Sequence, residues 1–384
     1  MRAASMRSSV NVLVTGGAGF IGTHLVRRVL HEGCSVAVLD NFSPQVHAGA
    51  QELPPDLVDH VEMYKGDVRD RDLVSRAMEG RDVLVHLAAE TGTGQSMYEV
   101  ARYQDVNIGG TAAIIECLAN NRKSRVRKVI VASSRAIYGE GRYCCSQHGV
   151  VYPGPRLLSD LRAGQYEPVC PTCKVTCLPE ATAEDAPARA LSFYGLTKYV
   201  QEEMMRMFGH ACGFSACALR YQNVYGPGQS LSNPYTGILA IFSSLARSGS
   251  AIQVFEDGQE SRDFIFVDDA VEATWRFIKR EHDSIDSYNV GTGQPTSVMQ
   301  VASEIVEFFG GNSAVYVTGA FRQGDIRHNF ADLSKICRET AFSPRFKFRE
   351  GLQRFLEWVT NQDQVPAQYE SSLREMRERR LFNG

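Results

Sequence analysis

The sequence predicts an α/β protein: a doubly wound parallel sheet, a smaller mixed C-terminal substrate lobe, and an insertion bearing cysteine and histidine. Short β-branched runs alternate with amphipathic stretches through the first two-thirds of the chain, which is the pattern of a parallel sheet covered on both faces. Beyond Tyr221 that regularity weakens, and near residues 140–187 a Cys- and Gly-rich segment interrupts it.

Strand candidates are Asn11–Thr15, Ser35–Leu39, Val61–Lys65, Val83–Leu87, Lys128–Ala132 and Ser215–Leu219. Helical stretches lie near Ile21–His31, Asp70–Met78, Tyr98–Asn121 and Phe193–Cys212. After Tyr221, turn clusters such as Tyr225-Gly226-Pro227-Gly228 separate shorter elements, as expected of a lobe set over the strand ends. The expected division is 1–139 with 188–222 for the sheet domain, 140–187 for the insertion, and mainly 223–384 for the smaller lobe. Some segments of that lobe are expected to return to the sheet domain. The charged stretch Ser371–Arg380 reads as a solvated surface helix.

A chain of 384 residues is long for one compact unit and suits two lobes sharing one body. The formal net charge of −3 argues against a nucleic-acid or anionic membrane partner. No apolar run approaches the roughly 20 residues of a membrane span. The basic start, Met1 to Val10, leads into a strand and a glycine loop instead of a signal core, so a cytoplasmic protein is expected. Of the ten cysteines, in a chain of this size without a secretion signal, Cys34, Cys117, Cys212, Cys217 and Cys337 read as free thiols, while the other five fall within one stretch.

Thr15-Gly16-Gly17-Ala18-Gly19-Phe20-Ile21-Gly22 follows a predicted strand and opens a predicted helix. Gly16, Gly19 and Gly22 serve in turn the tight turn, the approach of a pyrophosphate and close helix–sheet packing. The helix N-terminus then offers free N–H groups to phosphates. Asp40 ends the second strand, where a carboxylate binds ribose hydroxyls and repels a 2′-phosphate. No arginine follows among Asn41, Phe42 and Ser43, so NAD is favoured over NADP. Asp67, after the third strand, is placed either to reach an adenine amino group or to cap a helix.

Tyr194 and Lys198 stand four apart, one above the other on a helix face. A phenol ionising near pH 10 is a poor base, and a nearby ammonium with a cationic nicotinamide ring is expected to favour the phenolate. Ser133-Ser134 ends the fifth strand at the carboxyl edge of the sheet, where open α/β sheets bind ligands.

These motifs resemble the NAD-dependent epimerase/dehydratase family of extended short-chain dehydrogenase/reductases, from about Asn11 to Trp358. The resemblance includes Thr15–Gly22, Asp40-Asn41, Gly66-Asp67-Val68, His86-Leu87-Ala88-Ala89, Asn107, Ser133-Ser134, Tyr194/Lys198 and Leu219-Arg220-Tyr221-Gln222-Asn223. It continues through Arg262-Asp263, Tyr288–Gly293 and Arg322-Gln323-Gly324-Asp325. It implies a Rossmann-type fold, a homodimer built from the helices near Tyr98–Asn121 and Phe193–Cys212, and catalytic roles for Ser134, Tyr194 and Lys198. NAD is implied to meet Gly16, Gly19, Phe20, Ile21, Gly22, Asp40, Asn41, Asp67, Val68, Leu87, Ala88, Ala89, Asn107, Tyr194 and Lys198. Ser134 and Asn223 are implied to contact a nucleotide-diphosphate sugar, and Arg262, Arg322 and Asp325 its diphosphate and ribose. Guanidinium forks suit that anion.

Sugar-nucleotide dehydratases of this family carry an Asp-Glu pair after the catalytic hydroxyl residue; here those positions are Arg135 and Ala136. Neither side chain can eliminate water as an acid or base, so removal and return of one hydride at C4, a 4-epimerisation, is the leading expectation. The substrate is then a dTDP-6-deoxyhexose such as dTDP-L-rhamnose, or a UDP-hexose. A net dehydrogenase or reductase and a silent NAD-binding partner protein are the alternatives.

The insertion carries Cys145-x-x-His148 and Cys170-x-x-Cys173, paired chelating knuckles able to give zinc four tetrahedral ligands. Cys144 and Cys177 are available as alternatives. No water-activating glutamate accompanies them, so the expected zinc is structural. The insertion resembles one in epimerases that act on dTDP-L-rhamnose.

Overall fold

The computed structural model describes residues 10–383 except 122, 234, 236, 281–284 and 364–368, and only the backbone of 369–371. Its central sheet has seven strands: β1 (Asn11–Thr15), β2 (Ser35–Asp40), β3 (Glu62–Lys65), β4 (Val83–His86), β5 (Lys128–Ser134), β6 (Ser215–Tyr221) and β7 (Ile285–Val290). They run parallel in the order β3-β2-β1-β4-β5-β6-β7. The chain leaves β1 on one side and returns on the other with β4. The carboxyl ends of these two strands therefore bound the crevice of a topological switch point.

Each strand sends alternate side chains to opposite faces, and both faces are covered. Val12 and Val14 of β1 pack with Leu25, Val26 and Val29 of helix α1 (Phe20–His31). Leu13 points the other way, into a core with Val74 of α2 (Arg71–Met78), Ile114 of α3 (Gly110–Asn120) and Met205 of α4 (Phe193–Cys212). Helix α5 (Val267–Lys279) lies beside α1 on the first face. Ser192 caps α4 by accepting the Gly195 N–H at 3.1 Å, and Gly213 ends the helix in the left-handed region at φ 74°. These caps fix the register that carries Tyr194 and Lys198.

Two features depart from the sequence expectations. Strand β7 extends the main sheet beyond the six expected strands, pairing with β6 through Ile285↔Ala216 to Val290↔Tyr221. The charged C-terminal helix (Tyr369–Glu378) is docked and not merely solvated. Its Leu373 and Met376 are buried with Ala320 and Phe382, and Phe382–Asn383 pairs antiparallel with Phe321–Arg322. Its charges lie on the remaining faces, so one narrow apolar stripe suffices to bind it.

The insertion begins with strand Tyr143–Cys145, which pairs antiparallel with Gly149–Val151 and Leu178–Pro179. Among the described residues, no helix is long and apolar enough to cross a membrane.

Candidate active site

The loop after β1 closes against the end of β4. Gly16 adopts φ 70°, and a Cβ there would lie 2.7 Å from the Ala88 backbone nitrogen. A Cβ on Gly22 would lie 2.4 Å from the Gly16 carbonyl oxygen, so both positions exclude any side chain. Helix α1 starts at Gly19 without a side-chain cap and without an acidic residue in its first turn. Its N-terminus is thus kept for an external anion. A cavity of about 900 Å³ runs along this edge, lined among others by Phe20, Ile21, Asn41, Val68, Leu87, Ala88, Ala89, Ser134, Tyr194 and Lys198. A glycine turn packed tightly against the end of β4, an uncapped helix N-terminus and a carboxylate at the end of β2, all lining one cavity, fit a dinucleotide.

That carboxylate, Asp40, is 6% exposed. Its oxygens accept the N–H groups of Ala18 at 3.0 Å and Phe42 at 2.9 Å, and His47 Nε2 lies 3.3 Å away. Asp40 therefore holds the glycine loop onto β2 as well as lining the cavity. Asp67 does not cap α2; Asp70 does, accepting from Asp72 and Leu73. Asp67 instead accepts Arg69 through two nitrogens at 2.8 and 2.9 Å and Asn41 at 3.3 Å. The Arg69 hydrogen bonds hold its carboxyl below the usual range. Asn107 is fully buried, and its amide bonds Glu90 N, Glu90 O and Thr197 Oγ1 at 2.8, 3.1 and 2.9 Å. Its side chain ties the loop after β4 to α4 and has no donor to spare for a ligand.

Ser134 closes β5, and its Oγ accepts the Ala136 N–H at 3.2 Å and hydrogen-bonds Tyr194. Lys198 donates to the Ala132 carbonyl at 2.9 Å, and its Nζ stands 5.8 Å from the Tyr194 ring centre. Removal from water pushes the Tyr194 phenol up, against the Ser134 hydrogen bond and the Arg135 charge. It pushes the Lys198 ammonium down to about 7, against Glu202. The sequence leads one to expect a phenol lowered by its lysine and a cationic nicotinamide; in the folded protein desolvation outweighs the Ser134 hydrogen bond and the Arg135 charge.

Asn223, Arg262, Arg322 and Asp325 do not line this cavity; on the smaller lobe arginines gather around Asp325. Arg262 donates to the Ser261 and Arg327 carbonyls at 2.9 and 3.0 Å and to Asp325 at 3.2 Å. Arg322 stacks over Phe255 at 5.2 Å, and its buried Nε has no hydrogen-bond partner. Removal from water raises the Asp325 carboxyl, but Arg262, Arg322, Arg156 and Arg135 together hold it below the usual range. Asn223 accepts Arg135 Nε at 2.8 Å.

Three participants were given no role from the sequence, although Asp263 and Gln222 stand within its motifs. Asp263 accepts Thr292 and Gly293 N–H groups at 2.8 and 2.9 Å, clamping the turn after β7 to the strand that carries Arg262. Both amide atoms of Gln222, which lines the cavity, are buried and unpartnered. Arg156 of the insertion donates to Glu256 at 2.8 Å and to the Asp325 carbonyl at 3.0 Å.

The insertion brings Cys145, His148, Cys170 and Cys173 together with all ligand atoms within 4.8 Å of one another. Cys145 Sγ lies 3.5 Å from Cys173 Sγ and 3.7 Å from His148 Nδ1, and Cys170 Sγ lies 3.6 Å from that nitrogen. Tetrahedral zinc with Zn–S bonds near 2.3 Å sets its sulfurs roughly 3.8 Å apart, so the donor set fits. The Gln147 N–H at 3.5 Å, then His148, push the Cys145 thiol down to about 6, toward the thiolate a metal needs. Cys177 is not in the set, and burial pushes its thiol up to about 11. Cys144 is also outside it.

Fold and site together define a dinucleotide-binding α/β enzyme with a Ser/Tyr/Lys constellation at the sheet's carboxyl edge. The sequence profile of the NAD dependent epimerase/dehydratase family matches residues 12–153 and 165–291. Over 361 residues the chain is 37% identical to the dTDP-L-rhamnose 4-epimerase of Burkholderia thailandensis, covering 94% of this chain and 97% of that one. It is 29% identical to the UDP-glucose 4-epimerase of Mycolicibacterium smegmatis, over 92% of this chain and all of the relative. Among solved structures, the Thermotoga maritima UDP-glucose 4-epimerase with UDP-glucose superposes with a TM-score of 0.73 at 28% identity, covering 91% and 99%. The Thermus thermophilus UDP-glucose 4-epimerase with NAD gives 0.72 at 26%, covering 92% and 100%. The chain belongs to the NAD-dependent epimerase/dehydratase family.

Proposed function

We propose that this protein is an NAD-dependent nucleotide-sugar 4-epimerase whose substrate is a dTDP-6-deoxyhexose of the dTDP-L-rhamnose type. The observation that carries the reading is Ser134, Tyr194 and Lys198 gathered on the dinucleotide cavity, with Arg135 and Ala136 where a dehydrating enzyme needs carboxyl groups. Similarity to a dTDP-L-rhamnose 4-epimerase over 94% of the chain supports the sugar class. The glycine loop and Asp40 would hold NAD, which when bound would supply reversible hydride acceptance at C4.

The chain's own residues manage the proton. Ser134 orients the C4 hydroxyl, and Tyr194 takes its proton and later gives it back. Lys198 and the positive nicotinamide together offset the desolvation that otherwise keeps the phenol protonated. Asn223 contacts the substrate, and Arg262, Arg322 and Asp325 hold its nucleotide diphosphate and ribose. Asn107 acts indirectly, by fixing the loop after β4 against α4. The test is incubation with dTDP-, UDP- and GDP-sugars without added cofactor, with product stereochemistry read by NMR. Inversion at C4 of a dTDP-6-deoxyhexose is expected. Turnover only with stoichiometric added NAD or NADH would support the net-redox alternative.

The Cys145, His148, Cys170 and Cys173 site holds a structural zinc in this reading, and reduced thiols fit a cytoplasmic setting. The protein is a homodimer that covers the exposed apolar side chains Met97, Val100, Leu196 and Met207 near and on α4. Light scattering at micromolar concentration is expected to give a mass of two 42.5 kDa chains; a single-chain mass would reject the dimer.

A further inference from the structure

Arg135, a half-buried residue, is unlike the arginines of this protein whose side chains are almost wholly buried. Arg220 pairs with Glu202 at 2.8 Å. Arg327 pairs with Glu167, Glu256 and Asp257 at 2.6, 3.0 and 2.7 Å. Arg156 pairs with Glu256 at 2.8 Å and Glu140 at 3.4 Å. Each obeys the rule that a guanidinium taken out of water needs a carboxylate, because an uncompensated buried charge costs several kcal/mol. Among the described residues, Arg135 forms no ion pair. Its one hydrogen bond goes from Nε to the neutral Asn223 amide oxygen at 2.8 Å, and its Nη1 is buried with no partner.

Its position says where the missing anion belongs. Arg135 directly follows Ser134 at the end of β5, next in the chain to a residue that lines the cavity, and its Nε is held by Asn223 between the cavity residues Gln222 and Val224. Arg262 is the charge that acts on it most strongly, ahead of Asp325, Tyr194 and Asp263. Asp325 is already held by Arg262, and Asp263 by Thr292, Gly293 and Ala331. Burial and the Arg262 charge push the Arg135 guanidinium down to about 9, and the Asp325 carboxylate that acts against them is already hydrogen-bonded to Arg262. An anion arriving there relieves the repulsion and the unmet donor together. The group must lie between the hydroxyl chemistry at Tyr194 and the guanidinium of Arg262. In a nucleotide-diphosphate sugar that is the β-phosphate, the one bonded to the sugar.

We infer that Arg135 is a substrate-binding residue that, opposite Arg262, grips the β-phosphate of the nucleotide sugar. The inference rests on the nucleotide-sugar reading above. An arginine at this position then sets the distance between diphosphate and reacting carbon, where other members of the family place a carboxyl group for dehydration. Asn223 orients the guanidinium through its Nε.

The test compares binding of dTDP, UDP, dTMP and UMP to the full-length NAD-loaded protein by calorimetry, for wild type, Arg135→Met and Arg135→Lys. Wild type is expected to prefer diphosphates. Arg135→Met should weaken dTDP or UDP binding by about 10- to 100-fold, the scale of a charge-assisted hydrogen-bonded contact, and change monophosphate binding less than about threefold. Arg135→Lys keeps the charge without the fork and should fall between the two. Equal effects on mono- and diphosphates, or none, would overturn the inference. A defect seen only with sugars bearing a carboxylate, with dTDP and UDP unaffected, would also overturn it, moving the contact to the sugar. Should Arg135→Met not fold by circular dichroism, the lysine variant decides on the same criterion. Wild type that binds neither diphosphate would overturn the nucleotide-sugar reading itself, a result distinct from unchanged binding in the variants.

Discussion

Tyr194→Phe is expected to lower turnover by about 10²- to 10⁴-fold, the range in which one positioned acid–base group acts, while NAD stays bound. The substitution removes one oxygen and keeps the ring, so the edge-to-face contact with Tyr103 at 6.5 Å survives. The glycine loop and Asp40 lie on other elements and are untouched. Among the described residues lining the cavity near Ser134, Lys198 is the other group able to move a proton, and it is committed to the Ala132 carbonyl at 2.9 Å. Lys198→Met should have a second signature. Without the ammonium, the phenol stays protonated to higher pH, because burial already pushes it up. The rising limb of the pH–rate profile should therefore move to more alkaline pH. Turnover of Tyr194→Phe within a few-fold of wild type would remove this residue from the mechanism.

What the sequence made legible follows from how local the signals are. The glycine loop, Asp40 and the Tyr194/Lys198 pair are short spacings within single strand–loop–helix units, and the structure gathers them on one cavity. The clustering of Cys145, His148, Cys170 and Cys173 was also legible, because knuckle spacing constrains each pair before the fold brings the pairs together. Strand β7 was not. Asp286, Ser287 and Asn289 dilute its β pattern, which the edge position tolerates since β6 covers only one side. The C-terminal helix hides its docking face in two residues, Leu373 and Met376, among charges. The Arg135 environment was illegible for another reason. The sequence shows that a carboxyl group is replaced, but an unpaired guanidinium is defined only by neighbours from β5, Asn223 and the Arg262 strand. Likewise Asn107 reads as a cofactor contact, and only the fold shows its amide spent on Glu90 and Thr197.

Replacing both Cys170 and Cys173 by serine is expected to abolish zinc binding and raise KM for the nucleotide sugar by about tenfold or more, the scale on which groups supporting a site act. The insertion is tied together by a few short strand pairings and by the Cys/His cluster, and its glycines and prolines supply little apolar surface to order it. Binding of structural zinc contributes on the order of 10 kcal/mol, ample to hold such a segment. What the segment holds in turn is the part of the smaller lobe to which the proposed function assigns the substrate. Arg156 reaches the Asp325 carbonyl and Glu256, and Glu167 accepts Arg327 and His328 at 2.6 and 3.1 Å. Thr182 bridges to Ala331 in the same stretch of the smaller lobe. Loosening the insertion withdraws these partners from the loop that carries Asp325 and leaves Arg327, 1% exposed, short of a carboxylate. The glycine loop lies across the sheet at the end of β1, so NAD affinity should stay within about twofold, well below the several-fold effects that contact residues show. Elemental analysis of the wild-type protein, purified without chelator, decides the metal: one zinc per chain is expected, and well under one would reject the site. In the double variant, unchanged KM with zinc absent would show that the insertion does not support the substrate loop, whatever its metal content.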